Sequence, residues 1–207
     1  MTKYRVDWPS IERVFPLDRD PPEILKKFCL WVIANEWGSV GCFELGGCFI
    51  DDAPVRDASI LRNQFAFFMV LPEGSVVGLW YPTNLNLLPP PVIVIGSEGQ
   101  TEVIANSLES FLAQIASNFF NDQSAWSDFG VHEDVDSKTD LLSDWLKTEL
   151  QIKNLQSVIQ SPSTTLNFKA YFENWLAQRE IFWFSYFLPI LAQITRLLLS
   201  GKHCFRY

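Results

Sequence analysis

Short apolar runs separated by turn residues fill the middle of the chain. Residues 64–71 and 75–81 are rich in aromatic and β-branched side chains and are joined by the turn signal Pro72-Glu73-Gly74. The run 92–95 is continuously apolar, which is typical of a fully buried strand. Residues 38–50 are punctuated by glycines and indicate a short strand pair. The middle of the chain is therefore predicted to form a sheet.

Apolar positions at helical spacing predict a helix on each side of these strands. The first helix begins at Asp20-Pro21-Pro22-Glu23, where Asp20 is expected to be the cap, and runs to about Asn35. Its apolar face is predicted to consist of Ile24, Phe28, Trp31 and Val32. The second helix opens with the capping box Asn106-Ser107-Leu108-Glu109, and its inward side chains are Leu108, Phe111, Leu112 and Ile115.

The amino-acid composition of the chain changes after Phe120. Residues 121–138 are polar and acidic, which predicts a linker. Two shorter helical stretches follow, at about 139–151 and 168–178, and their apolar faces carry Trp145 and Trp175.

The segment 181–195 has no charged side chain in fifteen residues. A helix that spans a bilayer needs about 20 predominantly apolar residues. This run reaches nineteen residues only if Arg196 is tolerated and the helix continues to Leu199, and it contains Pro189. Packing against the domain or a twin subunit is therefore preferred to membrane attachment through 181–199, and the oligomeric state stays open.

Composition excludes disorder and argues against nucleic-acid binding. Apolar residues make up 48% of the 207 residues, so the chain can bury a large core. The net charge is −8, whereas affinity for phosphates requires lysine and arginine.

The charge is unevenly distributed along the chain. From Asn63 to Ser137 there is no lysine or arginine in 75 residues, and the same block carries a net charge of −9. One interpretation is an acidic face that aids solubility. The other is a surface that attracts a basic partner and raises its association rate.

Cysteine usage and the N-terminal residues favour a cytoplasmic location. Cys29, Cys42, Cys48 and Cys204 form no Cys-x-x-Cys pair, and Cys29 and Cys48 lie among apolar neighbours, as buried free thiols do. The first fifteen residues carry five charges and lack the apolar core of a signal peptide.

No motif indicates catalysis, a cofactor or a metal. The two histidines, His132 and His203, lie in a polar loop and near the C-terminus, away from any candidate nucleophile. The phosphate-binding glycine motifs are missing from the sequence. Asp134-Val135-Asp136 resembles the start of a calcium loop, but Thr139 stands where glycine is needed and Trp145 where the bidentate glutamate is needed. We therefore expect a protein that is not an enzyme.

Three motifs in order carry a resemblance to a known family. They are Gly74–Trp80, the run P-V-I-V-I-G-S-E-G at 91–99, and V-I-A-N-S-L-E-S-F-L at 103–112, which begins a helix in the family pattern. Residues 74–116 thus resemble the core of the SUKH superfamily of Smi/Knr type, which includes immunity proteins of bacterial toxin systems. The stretch 140–176 resembles the C-terminal helices of some members.

The resemblance, together with the helix–strands–helix order, implies an α+β fold. We expect a central, mostly antiparallel sheet flanked by helices, with a C-terminal helical extension. The expected division is a SUKH-like α+β core at 1–120, an acidic linker at 121–138, a helical extension packed on the core at 139–180, and an apolar C-terminal helix at 181–207. Ser97 and Glu98 are expected on an exposed connection between a buried strand and the capped helix, unless that stretch is only a tight connection.

The resemblance and the lysine-free block together imply a non-enzymatic cytoplasmic protein that neutralises a basic toxin, such as a nuclease, by covering it. The candidate contacts are Glu73, Glu98 and Glu102, with Trp80 and Tyr81 as aromatic anchors. Because neighbouring side chains alternate along a strand, only one of the two aromatic residues is expected to be exposed, and Trp80 can equally belong to the core.

The competing hypothesis is a regulatory scaffold of the Smi/Knr type, which acts in the regulation of cell-wall synthesis and is associated with the membrane through its C-terminal segment. A toxin gene immediately upstream favours the immunity hypothesis, and its absence favours the scaffold.

Overall fold

The computed structural model describes residues 6–46, 63–72, 74–82, 87–96, 101–117, 138–159 and 170–171. These residues form an α+β fold with one antiparallel sheet of six strands, which confirms the predicted class. The helices are α1 (Trp8–Glu12), α2 (Glu23–Ala34), α3 (Leu108–Ala116), α4 (Lys138–Glu149) and a 3-10 turn at Leu155–Ser157. The strands are β1 (Ser39–Val40), β2 (Phe43–Leu45), β3 (Phe65–Val70), β4 (Val76–Trp80), β5 (Val92–Ile95) and β6 (Thr101–Ala105).

The sheet is a meander in which each strand pairs with the next one along the chain. Because the direction reverses at every step, the β1–β2, β3–β4 and β5–β6 connections all lie at one end of the sheet. We call this end, formed by Gly41–Cys42, the Leu71–Ser75 turn and the connection that follows Gly96, the turn end. Trp80 and Pro91, joined by a backbone hydrogen bond of 3.1 Å, mark the opposite end.

The β3–β4 turn follows the prediction made from Pro72-Glu73-Gly74. The Leu71 amide donates to the Ser75 carbonyl at 2.8 Å, and the Gly74 amide donates to the Leu71 carbonyl at 2.9 Å. Gly74 has φ +95°, a conformation that side chains with a Cβ rarely adopt. This glycine therefore permits the tight reversal that brings the two strands into register.

The helices cover one face of the sheet and form the main core with it. Phe111 of α3 contacts Phe43 and Phe68 edge-on, with ring centroids 5.4 Å and 6.4 Å away. Trp145 of α4 packs against Phe28 and Trp31 of α2 at 6.0 Å and 5.5 Å. The predicted inward side chains of α3, Leu108, Phe111, Leu112 and Ile115, are all buried, as is Trp145 of the helix predicted at 139–151.

The other face of the sheet is also apolar. Phe65, Phe67, Trp80 and Ile93 form a separate buried cluster there, which we call the second face. Phe65 pairs directly with Trp80, and Phe67 pairs with Gly78. The Phe65 and Phe67 rings are stacked, with centroids 5.5 Å apart.

The prediction that Asp20 caps α2 is wrong. The N-cap residue is Pro22, which makes no side-chain capping bond, and its carbonyl accepts from the amides of Leu25 and Lys26. Glu23 lies in the first turn, where its charge is favourable to the helix dipole. The buried face is Leu25, Phe28, Cys29 and Val32, whereas the predicted Ile24 and Trp31 are half-buried.

The helix predicted to open at Asn106-Ser107-Leu108-Glu109 is confirmed, whereas the helix start at Val103 that the family pattern implies is wrong. Residues Thr101–Ala105 form β6, paired with β5, and α3 begins only at Leu108. Ser107 is its cap, and its hydroxyl accepts from the Ser110 amide at 3.2 Å. The connection at Gly96-Ser97-Glu98-Gly99 therefore joins two strands, instead of a strand and a helix.

Several predictions fall outside the described residues. These are the thiol of Cys48, the acidic linker after residue 120, Trp175 and the apolar segment 181–207. Of the helix predicted at 168–178, only Ala170 and Tyr171 are described, and both are helical.

Candidate functional site

The turn end is bordered by described residues that flank two of the acidic candidates, Glu73 and Glu98. Glu73 and Glu98 themselves lie outside the described residues, but the residues that flank them are placed. Pro72 and Gly74 are in the β3–β4 turn, and Gly96 and Thr101 border the β5–β6 connection. The fold thus brings two separated stretches of the chain to the same end of the sheet.

Glu102 lies on β6, beside this end, and is exposed. It is paired with Val94 of β5, one step from the last pair of the strand, Ile95 and Thr101. Its neighbour Val103 packs on the second face, so Glu102 points to the helix side of the sheet, as its partner Val94 does, and it is exposed there on an edge strand of the described sheet.

Glu44 is a second exposed acidic residue near the turn end, which the sequence prediction missed. It lies on β2, next to the β1–β2 turn, and is exposed between the buried Phe43 and Leu45. The alternation Phe43-Glu44-Leu45 is the signal that identifies it as an outward side chain. Adjacent strands are about 4.8 Å apart, so Glu44 and Glu102, four strands apart, are separated by about 19 Å across the sheet. They point to opposite faces, because the neighbours of Glu44 belong to the main core, whereas Val103 beside Glu102 packs on the second face.

Lys138 borders the turn end on the β1 side. Its ammonium lies 6.0 Å from the centroid of the Trp37 ring, and the next residue, Thr139, lies near Gly41 of the β1–β2 turn. The start of α4 therefore places a positive charge close to the β1–β2 turn, on the β1 side of the turn end.

Trp80 belongs to the core, which was the alternative left open for it. Its side chain is 1% exposed, and it lies on the second face beside Phe65 and the Tyr171 ring, whose centroid is 4.9 Å away. Trp80 is therefore not an exposed anchor, because another part of the chain already covers it.

Tyr81 is half-buried and lies at the opposite end of the sheet. Its ring contacts Phe15 edge-on at 6.4 Å, and the Arg19 guanidinium lies 5.9 Å from the ring centroid. Burial raises the pKa of its phenol well above 10, and the positive charge of Arg19 opposes this shift only in part. The Tyr81 hydroxyl accordingly stays protonated at neutral pH.

The three predicted contact residues that the structure describes, Trp80, Tyr81 and Glu102, do not come together at one place. β4 runs from Val76 at the turn end to Trp80, a distance of about 13 Å at the usual rise of a strand. Trp80 and Tyr81 thus lie about a strand length away from the turn end. Sequence spacing alone could not show this separation, since Val76 and Trp80 are only four positions apart but occupy the two ends of one strand.

Among the described residues, no three histidine, cysteine or acidic side chains are placed to hold a metal ion. The thiol of Cys29 is buried, as predicted, and burial strongly raises its pKa, so it remains a protonated core group. His132, His203 and Asp134-Val135-Asp136 lie outside the described residues.

The described part of the chain contains no helix with the length and apolar character required to cross a membrane. The uncharged segment 181–195 lies outside the residues to which this statement applies.

Comparison with known proteins gives no match to any family model, curated protein or solved structure. The resemblance to the SUKH superfamily stays a prediction that rests on the motifs within residues 74–116. In the structure these motifs correspond to β4, β5, β6 and α3.

Proposed function

We propose that this chain is a non-enzymatic protein-binding protein that takes a basic partner at the turn end. The observation that carries the proposal is the exposure of Glu44 and Glu102 near the turn end. Two connections of the lysine-free block, β3–β4 and β5–β6, also lie at this end of the sheet. No lysine or arginine occurs from Asn63 to Ser137, so β3 to α3 contribute no positive charge to this surface.

The chemistry of the partner follows from the sign of the charge. An acidic surface attracts a cationic protein over a distance of about 8–10 Å at physiological salt and speeds its productive encounters. Proteins that hold nucleic acid are rich in lysine and arginine where they contact phosphates. An inhibitor that covers such a site needs acidic side chains, which the turn end supplies.

The resemblance to SUKH immunity proteins narrows the proposal to a toxin. In this form, the chain binds a basic toxin, such as a nuclease, and blocks its active surface without any chemical step. Trp80 and Tyr81 are left out of the proposed contact because one is buried and both lie at the opposite end of the sheet.

Charge reversal at the turn end tests the proposal. The test variant is Glu44→Lys combined with Glu102→Lys, since both side chains are exposed on strands. The matched control is Asp20→Lys, an exposed acidic residue next to Arg19, which lies against Tyr81 at the opposite end. Each protein is immobilised and exposed to lysate of the source organism, and to the purified product of the adjacent upstream gene.

We expect the wild type and Asp20→Lys to retain a basic protein that the double variant does not retain. Raising the salt to about 0.5 M should also release it, because screening shortens the range of the attraction. Retention that is equal for all three proteins and insensitive to salt would contradict the proposal.

A further inference from the structure

The strand pairing fixes the direction in which each of the two exposed glutamates points. Glu44 is paired with Val70, and Val70 is paired with Val76, which packs on the second face. Glu102 is paired with Val94, which belongs to the main core beneath the helices. Because paired residues of an antiparallel sheet share a face, Glu44 lies on the side of the second face and Glu102 on the helix side.

Both carboxylates are close to the turn end, although they lie on different faces. Val76 and Ile95 form the pair of β4 and β5 nearest to this end, and Glu44 lies in the same row on β2. Glu102 lies in the next row, about 3.4 Å further from the end. The two glutamates therefore flank the turn end diagonally, one on each side of the sheet.

The sheet itself separates the two carboxylates. Strands β3, β4 and β5 fill the distance of about 19 Å between the strands that carry them. A partner that contacts both side chains must therefore pass around the turn end. The middle of this end is accessible, because Pro72 and Gly74 of the β3–β4 turn are exposed.

The distribution of charge on the helix side favours the β6 edge for a cationic segment. Lys138, at the start of α4, lies beside the β1–β2 turn and repels a cation there. No lysine or arginine occurs from Asn63 to Ser137, so β6 and its neighbours add no repulsion near Glu102. On the side of the second face, the corresponding acidic contact is Glu44 on β2.

We propose that the basic partner straddles the turn end with two lysine- or arginine-rich segments, one at Glu44 and one at Glu102. This inference rests on the proposed function and adds the shape of the partner. A surface that reaches both faces of the sheet is concave, such as a cleft with cationic side chains on both walls. The turn end is the part of this chain that enters the cleft.

Two synthetic peptides test this arrangement on the full chain at low salt. The one-arm peptide is pentalysine, and the two-arm peptide carries two pentalysine segments joined by a Gly-Ser linker of about 20 residues. Such a linker has a root-mean-square length of about 25 Å, which is sufficient to connect the two sites around the turn end. When a linker spans two sites, the second contact becomes intramolecular and the overall affinity rises.

Each peptide is titrated by NMR against the wild type, Glu44→Lys, Glu102→Lys and the control Asp20→Lys. Asp20 is exposed next to Arg19, which lies against Tyr81 at the opposite end of the sheet. The quantity compared is the ratio of the two dissociation constants within each protein, so that the change in net charge affects both peptides. Circular dichroism verifies that each variant is folded, and either charge reversal is a sufficient test by itself.

We expect the two-arm peptide to bind the wild type and Asp20→Lys at least about 10-fold more tightly than pentalysine, in a complex with one protein molecule. In Glu44→Lys and in Glu102→Lys the ratio should fall to about 2, the statistical advantage of two equal arms.

Three results would overturn the straddling arrangement and leave the proposed function standing, provided that pentalysine shifts amides at the turn end. They are a ratio near 2 in the wild type, a high ratio that survives either charge reversal, and a two-arm peptide that holds two protein molecules. If pentalysine shifts no amide at the turn end of the wild type, the proposed function fails together with this inference.

Discussion

At position 78, the packing of β3 against β4 leaves no room for a side chain larger than that of glycine. A Cβ atom built at this position would lie 2.6 Å from the Ala66 carbonyl oxygen and 2.8 Å from Cδ1 of Phe67. The Phe67 ring therefore lies over the space that any side chain would need. The glycine permits Phe67 to pack flat on the second face, beside Phe65.

We predict that Gly78→Ala destabilises the protein by about 1–3 kcal/mol, the usual cost of overpacking a core. The matched control is Gly38→Ala, where a Cβ would meet nothing within 4 Å. That change should leave stability within about 1 kcal/mol of the wild type, since it only reduces the freedom of the unfolded chain. Urea unfolding measures both, and equal effects at the two sites would contradict the packing described for Phe67.

Asp7 provides a prediction about pH. It caps α1, and the hydrogen bond from the Ser10 hydroxyl, with that from the Ser10 amide at 2.9 Å, holds the pKa of its carboxyl below the usual 3.8. Because the pKa is lower in the folded state, the cap stabilises α1 above pH 4 or so, and this contribution is lost as the pH falls through the folded pKa.

An NMR titration of the Asp7 carboxyl should give a midpoint below 3.8 in the wild type. Ser10→Ala removes the hydroxyl and retains the backbone amide, so the midpoint should rise toward 3.8 without reaching it. If Ser10→Ala left the midpoint unchanged, the Ser10 hydroxyl would not be the cause of the lowered pKa of Asp7, which would contradict this prediction.

Trp80 shows how far the alternation of side chains along a strand can predict exposure and burial. Alternation along β4 correctly separates the side chains of Trp80 and Tyr81, but it does not reveal whether the second face is covered. That depends on Tyr171, whose hydroxyl bonds to Gln64, 107 residues away along the chain. Glu102 needs no distant contact to be exposed, and its exposure was predicted.

At the scale of elements, α4 forms part of the main core, although a polar stretch separates it from α3 in sequence. Leu142, Trp145 and Leu146 are buried on one side of this helix. The Trp145 ring is stacked on Trp31 at an interplanar angle of 28° and meets Phe28 edge-on. The helix thus connects α2 with the rest of the core.

We predict that Trp145→Ala destabilises the protein by about 3–5 kcal/mol, as is usual when a large buried aromatic side chain is removed. Leu141→Ala, on the exposed side of the same helix, should cost no more than about 0.5 kcal/mol. Urea unfolding followed by far-ultraviolet circular dichroism compares the two. A small effect of Trp145→Ala would mean that α4 is not an integral part of the core.

The β3–β4 hairpin and α3 have clear turn and helix patterns in the sequence and were predicted correctly, whereas strand β6 was not predicted. The β3–β4 hairpin follows from its turn residues, and the inward side of α3 follows from helical spacing. Residues Thr101–Ala105 run without a break into the capped helix, and their apolar positions fit either period. Pairing with β5 decides the matter, and that contact is not visible in the local sequence.

At the scale of the whole molecule, the meander gives the two ends of the sheet different chemistry. The turn end collects the exposed Glu44 and Glu102, whereas Arg19 and the half-buried Tyr81 lie at the other end. Both faces carry apolar side chains that are buried. The polar recognition surface proposed for this protein is therefore an end of the sheet and not one of its faces.

The most direct test of this account is to determine by NMR where a cationic ligand binds to the full chain. The uniformly ¹⁵N-labelled protein is titrated with a short poly-lysine peptide at low salt, for the wild type and for Glu44→Lys combined with Glu102→Lys. We predict that amide shift changes concentrate at the turn end, in β2, in the β3–β4 turn and in β6, and that the double variant loses most of them. Shift changes centred on residues 13–20 at the opposite end, or spread evenly over the surface, would contradict the claim that the turn end binds a basic partner.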